Sequence, residues 1–368
     1  MNSLGFTKPT ESTRVVVAMS GGVDSSVAAA LLVEQGYDVV GITLQLYNHG
    51  EMIQKENSCC AGRDIHDARR VAECINIPHY VLNYEDRFHD GVIEDFADTY
   101  LRGETPIPCI TCNQTVKFTD LLSTAADLGG DALATGHYIR RENGTLGAEM
   151  FKGIDVTKDQ SYFLFATTRR QLEFLRFPLG KMKKEETRSH GKRFDLPVAE
   201  KKDSQDICFV PNGNYRDIIE RLRPGACDPG KIVDTNGKIL GHHDGIIGYT
   251  VGQRRGLGIS AGEPLYVLEI KPEESLVIVG RYEETLVGTV YIRNVNWLGE
   301  NELIPENGVR LSVKLRSTQV PAMANVARSS NHGAIVTLDE PQAGISPGQA
   351  CVFYDNDRVM GGGWIIKK

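Results

Sequence analysis

No stretch of this 368-residue chain approaches the roughly 18 consecutive apolar residues that a membrane-spanning helix needs; the longest obvious run, Val27 to Val33, stops at Glu34. A helical membrane protein is excluded. The opening residues, MNSLGFTKPTEST, carry one lysine and no apolar core, so no secretory leader is read there and a cytoplasmic protein is expected. Cysteine is scarce, at 8 residues, too few for a disulfide scaffold. In a reducing compartment such cysteines more often bind metal or handle sulfur. Repeats and low-complexity tracts are missing. A hydrophobic content of 41% with 24% charged residues excludes disorder, collagen and fibres. The charge imbalance is small: 41 Lys+Arg against 48 Asp+Glu leaves −7, which argues weakly against a nucleic-acid partner. That figure hides a local excess. From Ala166 to Arg223 there are 14 basic and 9 acidic residues, a surplus of five. A solvated helical face and a phosphate-facing patch both account for it.

At about 150 residues per domain the length predicts two or three domains. The first 140 residues alternate strand and helix patterns. Val15-Val16-Val17-Ala18-Met19 is a β-branched run ending in the turn signal Ser20-Gly21-Gly22. A helix follows over Ser26 to Gln35, capped by Asp24 or Ser25, with Gly36 at the C′ position. Strands are predicted over Asp38 to Leu44, His79 to Leu82 and Ala132 to Thr135. Helices are predicted over His66 to Ile75, Arg87 to Leu101 and Phe118 to Leu128. Repeated β–α units of this spacing predict a doubly wound parallel sheet, with ligand at the carboxyl ends of its strands. Two loops interrupt it, Asn48 to Gly62 and Gly103 to Asn113. The basic stretch reads as a small helical central domain. From about Pro224 short alternating segments punctuated by glycine argue for one or two β-barrels: Lys231–Val233, Gly248–Val251, Leu265–Ile270, Leu276–Val279, Arg310–Leu315, Ala334–Leu338 and Ala350–Tyr354. Domains are thus expected over residues 1–165, 166–225 and 226–368.

Ser20-Gly21-Gly22-Val23-Asp24-Ser25-Ser26 sits between a strand and a helix. Its glycines allow a tight turn that aims N–H groups at an anion, and its hydroxyls and the helix N-terminus add donors and positive potential. It lacks the lysine of a Walker A loop and the GxGxxG spacing of a dinucleotide fold. Asp24 beside bound phosphates would be repelled unless a cation lay between them, which implies Mg²⁺.

Pro106-Ile107-Pro108-Cys109-Ile110-Thr111-Cys112-Asn113 places two thiols three residues apart, and a third lies at Cys208 in Lys202-Asp203-Ser204-Gln205-Asp206-Ile207-Cys208-Phe209. Three readings are open: a thioredoxin-like pair, a zinc site joining Cys59 and Cys60 to Cys109 and Cys112, and a sulfur-transfer site. Lys201 and Lys202, close in sequence to Cys208, are candidates for lowering its pKa.

SGGVDSS after a strand resembles the loop of the N-type ATP pyrophosphatases, which split ATP into AMP and pyrophosphate. Five further motifs follow in order: Cys112-Asn113-Gln114-Thr115-Val116-Lys117-Phe118, Ala134-Thr135-Gly136-His137-Tyr138, Lys158-Asp159-Gln160-Ser161-Tyr162-Phe163-Leu164, the Cys208 segment, and Gly252-Gln253-Arg254-Arg255-Gly256-Leu257-Gly258. From about Val15 to Trp364 the series closely resembles the bacterial tRNA-specific 2-thiouridylases.

That resemblance implies ATP-dependent thiolation of the wobble uridine, position 34, of tRNAs for Lys, Glu and Gln. ATP adenylates the C2 oxygen and a persulfide sulfur replaces it. By the same resemblance Cys112 is the nucleophile and Cys208 bears the persulfide. ATP falls on Ala18, Met19, Ser20, Gly21, Gly22, Val23, Asp24 and Ser25, with Leu44 and Gly136. Contacts to tRNA fall on Ile107, Pro108, Cys109, His137, Lys158, Asp159, Gln160, Arg316, Ser317 and Gln349. A cysteine desulfurase or relay protein is implied as sulfur donor. Many family members carry Asp three residues before the nucleophile, where this chain has Cys109. Either Cys109 is a spectator of a persulfide cycle, or Cys109, Cys112 and Cys208 hold a [4Fe–4S] cluster with one iron open. Rival readings are an ATP pyrophosphatase adenylating a small metabolite, and a non-catalytic sulfur carrier or RNA-binding protein.

Overall fold

The computed structural model describes residues 1–47, 60–203, 207–210, 215–329 and 333–367. Cys59 lies outside them. The chain divides into two compact units. The first comprises Met1–Gly91, Ile110–Gln205 and Asp357–Val359; the second comprises Val92–Cys109, Asp206–Asn356 and Met360–Lys368.

The first unit is built on a parallel sheet. Strands β1 (Arg14–Ala18), β2 (Asp38–Gln45), β3 (His79–Asn83), β4 (Ala132–Ala134) and β7 (Leu175–Arg176) lie in the order β3-β2-β1-β4-β7. The β1 valines are wholly buried, as expected for the central strand of a parallel sheet. Helix α1 (Val23–Glu34) starts three residues earlier than its periodicity predicts and is buried from Val27 to Leu32. It packs with helix α2 (Cys60–Cys74) and with Leu196 and Val198 into one core around Val15 and Val17. Helix α6 (Lys184–Arg193), from the basic stretch, also packs on α1. Strands β5 (Ile139–Gly144) and β6 (Gly147–Lys152) form an antiparallel hairpin.

Two predicted helices are interrupted. Between Glu85 and Leu101 the α-helix widens to a π-turn over His89–Ile93. After α3 (Pro108–Cys112) a π-helix covers Asn113–Asp120, and α4 (Leu121–Asp127) resumes the ordinary pitch. The Thr119 hydroxyl donates to the Gln114 carbonyl five residues back, a step that suits the wider coil. Such widened turns recur at functional sites, and this one carries the CNQTVKF motif. Helix α5 (Arg169–Phe174) starts with a capping box between Thr168 and Gln171.

In the second unit the helix Glu94–Leu101 packs against α7 (Tyr215–Leu222): Tyr100 stacks on Tyr215 at 5.0 Å, and Phe96 meets the buried Phe209 edge-on at 5.2 Å. Strands β8 (Gly230–Val233), β9 (Ile239–His243), β10 (Tyr266–Lys271) and β11 (Leu276–Gly280) form a sheet ordered β10-β11-β8-β9. The strand predicted over Gly248–Val251 is absent. A 3₁₀ turn over Ile246–Gly248 stands there, followed by a turn in which Gln253 N–H donates to the Thr250 carbonyl. Gly252, at φ +86°, bends that chain out of an extended path. Strands β12 (Leu286–Trp297), β13 (Val309–Lys314), β14 (Ala322–Arg328), β15 (Ala334–Ala343), β16 (Ala350–Asp355) and β17 (Arg358–Ile366) run in the order β12-β15-β14-β13-β16-β17, and β12 pairs with β17 to close a six-stranded barrel. Closure leaves no strand edge exposed.

Candidate active site

The sequence between β1 and α1 folds into an open anion cradle. Gly22, extended at φ −95° and ψ 164°, is the N-cap of α1, and no side chain caps the helix. Asp24 and Ser25, expected as caps, stand inside the first turn instead. Ser25 Oγ accepts from Ser20 N–H at 3.1 Å and Ser26 Oγ donates to the Gly22 carbonyl at 2.8 Å. The hydroxyls therefore shape the loop, while the uncapped N–H groups and the helix dipole face an incoming anion. Gly21 adopts φ +71°, and a Cβ there would lie 2.2 Å from the Asp64 carbonyl oxygen, so only glycine fits. A Cβ on Gly136 would lie 2.6 Å from Ser25 N, which places the end of β4 against the first turn of α1. Ala18 ends β1, Met19 and Val23 are buried, and Ser20 is exposed. Leu44 is half-buried in β2, paired with Leu82.

Asp24 is held by a cation that the sequence reading missed. Lys184 Nζ lies 2.7 and 2.8 Å from its two carboxylate oxygens and 2.8 Å from Asp203 Oδ1. The Tyr138 hydroxyl donates to Asp24 Oδ1 at 2.8 Å and lies 2.9 Å from Thr187 Oγ1. Burial keeps that phenol protonated by raising its pKa far above the ordinary value. Asp203 also receives Lys158 Nζ and Arg188 Nη2, each at 2.8 Å. Burial opposes its ionisation, but hydrogen bonds and charge from Lys158 and Lys184 outweigh that and hold the carboxyl at about 2.

Lys201 forms a second clamp. Its ammonium donates to the Gly21 carbonyl at 2.9 Å, to Asp64 Oδ1 at 2.7 Å and to Asp67 Oδ2 at 2.6 Å. Burial lowers its pKa, but the two carboxylates reverse that and raise it overall. These contacts tie Lys201 to the loop between β1 and α1. Lys184 and Arg188, from the same basic stretch, are both tied to Asp203. The exposed basic residues of that stretch include Lys181, Lys183 and Lys192.

Among the thiols, Cys112 is buried where α3 gives way to the π-helix, whereas Cys109 and Cys208 are exposed. In that π-helix Lys117 Nζ donates to Asn113 Oδ1 at 3.1 Å and Asn113 Nδ2 to the Phe163 carbonyl at 3.2 Å. His137, beside Thr135 Oγ1 at 2.9 Å, has its pKa lowered to about 3 by burial and by the charge of Lys117, so its imidazole is neutral at physiological pH. Asp159 accepts from Gly153 and Ser161 N–H groups at 3.0 and 3.2 Å, and Gln160 Oε1 accepts from Tyr138 N–H at 2.9 Å. These two side chains fix the turn that presents Lys158. In the second unit Ile107 is half-buried and Pro108 buried, Arg316 is exposed, and Gln349 Nε2 donates to the Thr105 carbonyl at 3.1 Å. Ser317 lies beside Arg316 between β13 and β14. Among the described residues no group of three or more His, Cys, Asp or Glu side chains converges on a metal position. Cys60 begins α2, and Cys59 lies outside the described residues.

A parallel sheet with an uncapped anion loop at its central strand, followed by a small β-domain and a closed barrel, defines a HUP-domain protein with two β-domains attached. Three family models match it accordingly: a tRNA methyl transferase HUP domain over residues 13–212, a tRNA methyl transferase PRC-barrel domain over 216–281, and an aminomethyltransferase beta-barrel domain over 287–365. The chain is 59% identical to a tRNA-specific 2-thiouridylase MnmA from Rhodospirillum centenum, over 100% of this chain and 95% of the relative. It is 58% identical to the protein of that name from Cereibacter sphaeroides, over 99% and 97%. The chain belongs to the tRNA-specific 2-thiouridylase family. A solved NMN synthetase from Francisella tularensis is 20% identical, covering 58% of this chain and 77% of its own at a TM-score of 0.33.

Proposed function

We propose that this protein is an ATP-dependent tRNA-uridine 2-sulfurtransferase acting on the wobble uridine of tRNAs for Lys, Glu and Gln in the cytoplasm. What carries the reading is identity of 59% to a tRNA-specific 2-thiouridylase over 100% of this chain, and the uncapped helix start after the glycine loop supports a polyphosphate ligand. The C2 oxygen of a uridine is a poor leaving group. Its attack on the α-phosphate of ATP expels pyrophosphate and leaves an adenylated oxygen that can depart as AMP. The loop from Ala18 to Ser25 would hold the nucleotide, with the α1 N-terminus on the developing negative charge. Asp24 has about four lone-pair sites, three of them occupied by Tyr138 and Lys184, so it can still offer Mg²⁺ one oxygen. Mg²⁺ binds through one or two carboxylates plus substrate phosphates and would offset the charge of the phosphates themselves, since Lys184 already faces Asp24.

Sulfur delivery then runs through two thiols. The terminal sulfur of a Cys208 persulfide attacks C2, forming a C–S bond as the C–O bond to AMP breaks. The Cys112 thiolate attacks Cys208 Sγ, breaking the S–S bond. The electron pair stays on the tRNA sulfur as 2-thiouridine, and a Cys112–Cys208 disulfide remains for a cellular dithiol to reduce. A cysteine desulfurase or relay protein would supply the persulfide sulfur. A single-stranded anticodon loop suits the chemistry, because an unpaired base enters a pocket at modest cost. Mass spectrometry of tRNA nucleosides from cells lacking the protein tests the assignment: 2-thiouridine should vanish from the wobble position, and its persistence at the normal level would refute it.

A further inference from the structure

Gly252-Gln253-Arg254-Arg255-Gly256-Leu257-Gly258 is a motif to which neither the nucleotide nor the sulfur chemistry gives a role. In the second unit it forms an anchored loop. Gly252 N–H donates to the Val267 carbonyl at 2.8 Å and Val267 N–H to the Gln253 carbonyl at 2.9 Å. The Gln253 side chain accepts from Thr250 N–H at 3.0 Å and donates to the Arg255 carbonyl at 2.9 Å. Leu257, only 6% exposed, pins the far end into the core. Between these anchors Arg254 and Arg255 stand exposed.

Their guanidiniums have no ion pair or hydrogen bond among the described residues. Two other exposed arginines of this unit are neutralised: Arg281 pairs with Glu263 at 3.0 Å, and Arg310 with Asp339 at 2.5 Å. Glu263 lines the same cavity of about 460 Å³ as Arg254, Gly256 and Gly258, and its pairing with Arg281 leaves the positive charge of Arg254 uncompensated there. The Arg316 guanidinium, likewise without an ion pair or hydrogen bond among the described residues, adjoins the loop. A Cβ on Gly252 would lie 2.5 Å from Gly344 Cα, and one on Gly344 would lie 3.2 Å from Arg316 Nη1. The backbones of Gly252 and Gly344 are therefore in contact, with Arg316 against the latter.

We propose that Arg254 and Arg255 form a binding surface for RNA backbone phosphates beside Arg316, a position the family resemblance already gives to tRNA, resting on the assignment of tRNA as substrate. Arginine forks grip phosphate bidentately, and an anchored loop presents two of them without ordering cost at binding. The flanking glycines let the sugar–phosphate chain approach closely.

The test uses full-length protein and unmodified tRNA transcript. Arg254→Glu with Arg255→Glu should weaken tRNA binding at least tenfold. It should also reduce the slope of log affinity against log salt by roughly 1–2, at about 0.7–0.9 per lost phosphate contact. In thiolation assays the loss should fall on KM more than on kcat. Arg254→Lys with Arg255→Lys keeps the charge but loses the forks, so it should keep the wild-type salt slope with an affinity between those of wild type and the Glu variant, which a merely structural role for the arginines would not allow. Unchanged affinity and salt slope in a charge-reversed variant that melts like wild type would overturn the proposal, as would equal damage from the Lys and Glu variants. Wild-type protein that binds no tRNA would instead overturn the parent assignment, and this site with it.

Discussion

Lys184 Nζ sits 2.7 and 2.8 Å from the two carboxylate oxygens of Asp24, a residue 160 positions earlier in the chain. The same ammonium reaches Asp203. A carboxylate at the mouth of an anion cradle is thereby neutralised from within the fold before any nucleotide arrives. Lys184→Met should leave Asp24 and Asp203 short of a partner, costing about 2–3 kcal/mol. That is less than the 3–5 kcal/mol of a fully buried pair, because Asp24 keeps part of its side chain in solvent. Urea denaturation of the single and double variants with Asp24→Asn checks this. The cycle should give a coupling energy of roughly 1–3 kcal/mol, whereas strict additivity would mean that the contact contributes nothing.

Lys201 makes a second prediction. Lys201→Met removes the clamp on the Gly21 carbonyl while leaving every N–H of the cradle in place. ATP affinity should fall about tenfold, equivalent to the ~1.4 kcal/mol scale of one charge-assisted hydrogen bond, with tRNA affinity unchanged. Isothermal titration with ATP and with tRNA separates the two. Loss of tRNA binding alone would return Lys201 to the phosphate-facing patch.

His137 sets a pH dependence. Its pKa falls from 6.5 in the unfolded chain to about 3 in the native protein, so the unfolded state binds the proton first as pH drops. The stabilisation from the neutral ring is complete above about 6.5 and is lost as pH falls from there towards 3. Relative to wild type, His137→Gln should gain stability on acidification, by at most about 1.4 kcal/mol per pH unit. Urea midpoints from pH 7 to pH 4 measure it, and parallel curves would contradict the burial argument. A neutral ring can still hydrogen-bond or stack on RNA, but it offers phosphate no charge.

Salt dependence distinguishes the basic residues of the 166–223 stretch. Lys181→Glu with Lys183→Glu should weaken tRNA binding and flatten its salt slope, because both ammoniums are exposed. An unchanged salt slope would make this stretch a solvated face.

The parallel sheet and its loop were legible because their signals are local: three valines, two glycines and a helix pattern within twenty residues. Gly36 stands at φ +84° just past α1, as its position suggested. The π-helix over Asn113–Asp120 was not legible, since a step from four to five residues leaves no compositional mark. Nor was the Asp24–Lys184–Asp203 network, whose members meet only through the packing of α6 on α1. Charge counting over residues 166–223 placed Lys184, Arg188 and Lys201 in one basic surplus. The fold turns all three towards carboxylates, and a surplus of charge in sequence says nothing about which ammoniums are already paired.

The two-thiol route is tested most directly by a single-turnover reaction of purified protein, its persulfide preloaded, with ATP and unmodified tRNA. Nucleosides are read by mass spectrometry, and pyrophosphate is measured alongside. Wild type should place one sulfur on the wobble uridine per protein and release one AMP and one pyrophosphate. Cys208→Ser should release pyrophosphate without transferring sulfur, and Cys112→Ser should stall with tRNA linked to Cys208. Sulfur transfer at the wild-type rate in either variant, or pyrophosphate release that needs a small metabolite instead of tRNA, would contradict the account.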